Sequence, residues 1–357
     1  MKKYNFYAGP AILPQEVLKE ASEAVIDYQG IGLSILELSH RSKEVTAVFD
    51  EASSLIYKLL DIDKDKYAVL FLSGGASSQF YMTAMNFLDA DKKAGYVDTG
   101  SWSSKAIKEA KLFGIVEVLA SSKDKNYNYI PKGYQIPSDL QYLHLTSNNT
   151  IFGTQYKKWP DTDVPFICDM SSDIFSRSLP IDKFDVIYAG AQKNLGPAGV
   201  TLVIINKEKV GKVNRNITSM LHYNTHITKE SMFNTPPVYP TFVSLLTLRW
   251  LDKNGGIEAI QKKNEEKAGI LYDEIDRNPL FYGTTMVEDR SLMNVCFLMH
   301  DNTLEAKFLD LCNEAGCIGV KGHRSVGGFR ASIYNAMEKE GVEALVSVMK
   351  SFEQKYG

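Results

Sequence analysis

Apolar residues recur at helical spacing twice near the start of the chain. Val17, Leu18, Ala21, Val25 and Ile26 do so behind Pro14; Val45, Val48, Phe49, Ala52, Leu55, Ile56 and Leu59 do so across 43–60. Steps of three and four put these side chains on one face, so each stretch predicts an amphipathic helix. Pro14 suits an early position of the first helix, and Gly30 and Gly32 end it. Beyond residue 60 the rhythm changes. Short apolar runs at 69–72, 94–98, 116–119, 142–146, 166–169, 186–189 and 200–205 predict strands, with helices at 79–88 and 103–113. Apolar strands mixed with helices predict an α/β fold in which helices flank a mostly parallel sheet.

The pattern shifts again at 206–240, where polar residues and Thr235-Pro-Pro-Val-Tyr-Pro240 predict loops. Helices are expected at 241–253 and 257–277, the second heavily charged on one side. A strand (294–299), a helix (303–315), a short strand at Gly319, a loop (321–328), a strand (329–332) and a helix (339–355) then form a small α+β unit. The expected organisation is a large domain over 16–254 and a small C-terminal domain over 255–357, joined by the N-terminal segment 1–15.

Composition narrows the class. The 357 residues are 44% hydrophobic and 23% charged, as in a soluble globular protein. A net charge of -3 gives no reason to expect a nucleic-acid partner. No apolar run reaches the roughly 18 residues of a membrane span. Lys2 and Lys3 precede no apolar h-region, so no signal peptide is expected. Cys168, Cys296, Cys312 and Cys317 form no CxxC pair, and the last two are poorly spaced for a metal. No metal site and a reducing, cytoplasmic location are expected.

The chemistry centres on 185–199. An apolar strand runs into a small polar turn that carries Lys193, and a second apolar strand follows. An ammonium in apolar surroundings loses its proton more easily, and the free amine attacks aldehydes. Upstream, the strand over 166–169 ends in Asp169. Strand, acid, strand, lysine is what a pyridoxal phosphate enzyme needs, although a surface lysine between core strands would read similarly. Ser73-Gly-Gly-Ala-Ser-Ser78 follows a strand and opens a helix; its amides suit one phosphate, and it matches neither a P-loop nor GxGxxG. Trp102 lies past the strand ending at Asp98, where it can stack on a flat ring or simply pack. Thr150 follows another strand and can reach a phenolate oxygen or cap a turn. Cations gather at His40-Arg41 and at Gly322-His-Arg-Ser-Val-Gly-Gly328, followed by Arg330. Guanidinium groups bind carboxylate and phosphate bidentately, so these clusters suit a dianionic substrate.

The segments 5–11, 37–42, 74–80, 100–102, 169–173, 191–199, 234–237 and 322–330 carry a joint pattern. In order from end to end it resembles the class V aminotransferases of PLP fold type I, and within them the branch that makes phosphoserine. The resemblance implies that Lys193 bonds pyridoxal 5'-phosphate and shuttles a proton, and that Asp169 pairs with the ring nitrogen. It implies Trp102 on the ring face, Thr150 at the ring oxygen, and Ala76, Ser77 and Gln192 at the cofactor phosphate. Asn234 and Thr235 would reach that phosphate from a neighbouring subunit, making a homodimer with shared sites. Arg330 and Arg41 would take the substrate α-carboxylate. His40, with His323 and Arg324 from across the dimer, would take its second anion. The implied reaction is ping-pong amino transfer from L-glutamate to 3-phosphohydroxypyruvate in serine synthesis, with 4-phosphohydroxythreonine as a further substrate in cofactor synthesis. Ser77 stands where some members carry a base, and Asn149 where an acid is common. A class V enzyme for a small unphosphorylated substrate is the alternative.

Overall fold

The computed structural model describes residues 2–357; residue 1, the first of the expected joining segment 1–15, lies outside the described residues. Seven strands form the main sheet: β2 (Tyr67–Leu72), β3 (Lys93–Asp98), β4 (Ile115–Ser121), β5 (Leu140–Thr146), β6 (Phe166–Asp169), β7 (Val186–Gly190) and β8 (Thr201–Asn206). Their spatial order is β2-β8-β7-β6-β5-β3-β4. Every pair from β4 to β7 is parallel, and β8 is antiparallel to both β2 and β7. The exception has a local cause. The lysine turn joins β7 to β8 without a crossover helix, and a short connection can only return the chain antiparallel.

Alternating strand residues feed two cores. Leu143, Leu145, Cys168, Ile187, Leu202 and Ile204 face α1 (Gln15–Ile26), α2 (Lys43–Leu59) and α6 (Val238–Lys253). Tyr142, Ile167, Val186, Tyr188, Val203 and Ile205 face α3 (Gly75–Phe87), α4 (Ser101–Ala110) and α5 (Tyr223–Thr228). Each fully buried Leu, Ile or Val contributes about 1.5–3 kcal/mol. In α2, Val45, Val48, Phe49, Ala52 and Ile56 are buried, as their spacing predicts, and the Ser42 side chain caps the helix by accepting from the Val45 N–H at 3.3 Å. A charge at Phe49 would break that face.

A second, three-stranded antiparallel sheet contains β9 (Phe281–Gly283), β10 (Asn294–Met299) and β12 (Phe329–Ser332). With α8 (Glu305–Glu314) and α9 (Lys339–Tyr356) it encloses another core, to which Phe6 of the lead-in belongs. Beside it β1 (Tyr4–Asn5) pairs in parallel with β11 (Cys317–Ile318). The helix α7 (Gly256–Arg277) serves two cores: Ile257 and Ile260 pack under the main sheet, and Leu271, Tyr272 and Ile275 in the smaller core. Among the described residues no helix is long and apolar enough to cross a membrane.

Several boundaries differ from the sequence expectation. Helix α3 starts at Gly75 and not at 79, because Gly74 takes a left-handed φ of 103° and turns the chain at once into the helix. A Cβ there would meet Ser78 Oγ at 1.9 Å. Pro14 precedes the first helix as its cap, with an extended ψ of 139°. The region read as polar loop contains α5, held by long-range contact: the Tyr223 hydroxyl donates to Gln79 Oε1 at 2.6 Å. The short strand falls at 317–318, before Gly319, whose φ of 85° ends it.

Candidate active site

The C-terminal ends of β5, β6 and β7 open onto a cavity of about 220 Å³. In open α/β sheets ligands bind beyond such strand ends. Gly75, Ala76, Ser77, Trp102, Thr150, Asp169, Gln192 and Lys193 are among the residues that line it.

Lys193 stands on a tightly wound turn. The Lys193 and Gly196 N–H groups donate to the Ala191 carbonyl at 2.7 and 2.8 Å, and Ala191 N–H donates to Val200 O at 3.1 Å. The lysine ammonium donates to Thr150 Oγ1 at 2.7 Å. Although the side chain opens onto the cavity, enclosure by protein pushes its pKa down to about 8. The Arg330 charge adds to this, and Asp169 and Asp173 oppose it. Thus the amine can be neutral near physiological pH, as nucleophilic attack requires.

Asp169 ends β6 in a buried position. Burial pushes its carboxyl up; the Ser171 side chain and backbone and the Lys193 ammonium pull it back. The Ser171 N–H donates to Asp169 Oδ1 at 2.9 Å, a local Asx turn. Ser171 Oγ also accepts from the Gly190 N–H at 3.1 Å, tying the acid to the lysine strand. Sequence reading passed over Ser171; the short polar run after a strand-ending acid was the available signal. The same is true of Asn148, which bridges Ser172 at 2.9 Å and Asn294 at 2.8 Å below the cavity.

Opposite the acid, α3 begins with no side-chain cap, so its first-turn amides are free to meet an anion. Gly190 approaches this end closely: a Cβ there would lie 3.7 Å from the Ala76 nitrogen. Trp102 sits in the first turn of α4, whose start Ser103 Oγ fixes by accepting from the Thr99 and Gly100 N–H groups, each at 2.9 Å. Among the described residues the indole Nε1 and the Thr146 hydroxyl are buried without a hydrogen-bond partner. Ala11 N–H donates to Gln192 O at 2.8 Å, and a Cβ at Gly9 would lie 3.7 Å from Lys193 Cγ, so the lead-in crosses the lysine turn.

The expected substrate residues are spread differently. Arg330 reaches the edge of the cavity, where its Nη1 donates to Thr150 O at 3.2 Å. His323 and Arg324 lie on the preceding loop; burial, then Arg330, Arg324 and Lys105, push the His323 pKa down. His40 and Arg41 occupy the turn before α2, and neither lines the cavity. Asn234 lines a separate hollow beside Ser78 and Pro237, and its side chain donates to Thr235 O at 3.1 Å. All four cysteines are buried free thiols, and burial pushes Cys296 up to about 12. No group of side chains suited to a metal ion occurs among the described residues.

The family model for "Aminotransferase class-V" matches residues 3–345. The chain is 60% identical over 358 residues to the phosphoserine aminotransferase of Parabacteroides distasonis, with both chains covered in full. Its fold is similar to that of phosphoserine aminotransferase from Bacillus circulans subsp. alkalophilus, with TM-score 0.97, 47% identity, and 100% and 99% of the two chains covered. It is also similar to the PLP-bound phosphoserine aminotransferase of Trichomonas vaginalis, with TM-score 0.93, 35% identity, and 98% and 100% covered.

Proposed function

We propose that this chain, which belongs to the class-V aminotransferase family, is a phosphoserine aminotransferase that uses pyridoxal 5'-phosphate. It moves the amino group of L-glutamate to 3-phosphohydroxypyruvate, giving O-phospho-L-serine and 2-oxoglutarate, by ping-pong turnover. One observation carries the reading: a single cavity has an amine of lowered pKa, a buried acid and an uncapped helix start on its walls.

The residues fit the cofactor. The Ala76 and Ser77 amides, with Gln192, hold its phosphate at the positive end of α3. Trp102 supplies a ring face, and its unpartnered Nε1 is free for a polar group. Thr150 serves the ring oxygen. The Asp169 carboxylate would accept from the N–H of the ring nitrogen, and that cation would offset the burial that otherwise pushes the acid up. When bound, the cofactor supplies an aldehyde carbon and a ring that stabilises the electron pair left when the substrate Cα loses its proton. Lys193 would hold the cofactor through its aldehyde carbon, and its Nζ would carry a proton. Arg330, with Arg41, binds the substrate α-carboxylate. His40, His323 and Arg324 bind the second anion, phosphate or side-chain carboxylate.

The active unit is a homodimer. Asn234, Thr235, His323 and Arg324 are not among the residues that line their own chain's cavity, which supports their serving the partner's. Leu18, Ile26, Ile31, Leu33 and Leu36, exposed along α1 and its exit, support a covered apolar face. Four buried free thiols support a cytoplasmic location. The large unit is 16–254, and 255–357 with the lead-in forms the small one. The same cation set would also suit 4-phosphohydroxythreonine as a substrate.

The test is spectroscopic. Purified protein loaded with pyridoxal phosphate absorbs in the violet, glutamate bleaches the band, and 3-phosphohydroxypyruvate restores it. Restoration as efficient by an unphosphorylated keto acid would favour the alternative substrate class, and no cofactor uptake would overturn the reading.

A further inference from the structure

Lys267 is buried on α7, with 3% of its surface exposed. Among the described residues no carboxylate lies within 4.0 Å of its ammonium. Instead the Nζ donates to three backbone carbonyls, those of Ile333 at 3.2 Å, Tyr334 at 2.8 Å and Met337 at 2.9 Å. Burial, and then Lys263, push its pKa down to about 7, while the carbonyl dipoles favour the charged form. A buried ammonium without an anion is costly. An apolar side chain there would fill the space but strip the Ile333 and Met337 carbonyls of this donor, each at a cost comparable to a lost hydrogen bond, while Tyr334 O would keep the Met337 N–H at 2.9 Å.

The carbonyls belong to one strap, 333–337, between β12 and α9. From the strap, Asn335 N–H donates to Asn194 Oδ1 at 3.0 Å, and Asn194 adjoins Lys193. The Tyr334 hydroxyl donates to Ala8 O at 2.7 Å, next to the Gly9 that crosses Lys193. Asn264, one turn before Lys267 on α7, donates to Asn335 Oδ1 at 2.8 Å and to Ser176 O at 3.2 Å. Two arms therefore run from a single helix face, through the strap, to the reactive lysine and to the segment above it.

We propose that Lys267 is a positioning residue: its ammonium fixes the strap, and the strap sets the Lys193 turn through Asn335 and the lead-in through Tyr334. Its catalytic meaning rests on Lys193 being the reactive amine; its structural content does not.

The test is amide hydrogen exchange by mass spectrometry on the full chain without cofactor. In Lys267→Met, exchange across 191–199 and 6–12 accelerates about tenfold or more, while the edge strand at 67–72 stays as slow as in the parent. Lys267→Gln, with two donors left, gives a smaller acceleration at the same two segments. Asn194→Ala accelerates 191–199 alone, and adds less than its own effect on top of Lys267→Gln, as coupled residues do. In loaded enzyme Lys267→Gln lowers kcat with KM nearly unchanged. Equal acceleration in all three segments, or none, overturns the proposal. If Lys267→Met does not fold, the Gln variant and its pairing with Asn194→Ala decide it. A loaded enzyme that never turns over, alongside the expected exchange pattern, would count against the functional reading and leave this inference standing.

Discussion

The turn around Lys193 and the loop around Arg324 both carry positive charge, into opposite surroundings. Around Lys193 the backbone is closed by four hydrogen bonds, Asn194 is buried, and the ammonium is pushed to a pKa of about 8. Around Arg324 the loop closes on itself through Gly322 N–H to Gly328 O at 2.8 Å, and the arginine side is exposed. Its glycines are there for backbone approach: a Cβ on Gly328 would lie 2.4 Å from Leu298 Cδ2. One region spends burial on making a cation reactive. The other leaves the Arg324 guanidinium exposed to water, ready to meet an anion. On the proposed function, reactivity is built within one chain and selectivity is completed between two.

The comparison breaks most sharply at Lys193. Lys193→Ala should lower turnover by about 10⁴-fold or more, since among the described residues no other amine lines the cavity to act as nucleophile and proton carrier. Borohydride reduction of the loaded parent protein, followed by peptide mapping, should put the cofactor on Lys193. A label on any other lysine would refute the assignment.

Arg324 should behave otherwise. Arg324→Leu removes a charged hydrogen-bond donor worth about 2 kcal/mol, or about thirtyfold. The loss should fall on kcat/KM for 3-phosphohydroxypyruvate and spare unphosphorylated keto acids. Equal losses for both would move Arg324 out of the anion site.

What the sequence made legible follows the same division. Strands at 166–169, 294–299 and 329–332 begin and end where the sequence places them, because a short segment between turn-forming residues leaves little choice of register. The residues expected at the cofactor on one chain converge on one cavity, since each follows the end of a strand in the same sheet. Contacts made across long stretches of chain were not legible. Helix α5 depends on Tyr223 meeting Gln79. Lys267 reads as one more charge on a charged helix, and only the return of 333–337 buries it. Gly74-Gly75 reads as a turn, and the early start of α3 needs a left-handed φ that composition does not reveal.

The lowered pKa of Lys193 gives a subtler handle. The neutral amine attacks the aldehyde, so in cofactor-free protein the fraction competent to bond falls about tenfold per pH unit below the pKa. With a folded pKa of about 8, against 10.5 for an ordinary lysine, the rate of covalent uptake should rise from about pH 6 and level off above about pH 9. A rate still climbing tenfold per unit at about pH 10 would show that burial does not act on this amine. Arg330→Leu removes a positive neighbour, so the plateau should move to higher pH.

The smallest signal bears on the division itself. If Asn234 serves the partner's cavity, Lys193→Ala and Asn234→Ala impair different chains' contributions to a site. A dimer with one chain of each kind then holds one site with both defects and one with neither. Equal mixing under exchange makes about half of the dimers mixed, so activity should recover to about a quarter of the parent level. Each variant alone stays far lower, provided Asn234→Ala loosens the cofactor enough at limiting concentration. The measurement is turnover against mixing ratio, and it should peak near equal amounts. Activity that stays at the weighted mean of the two variants at every ratio would place Asn234 and Lys193 in the service of the same chain's cavity, and the contrast between a self-contained reactive turn and a shared anion site would collapse.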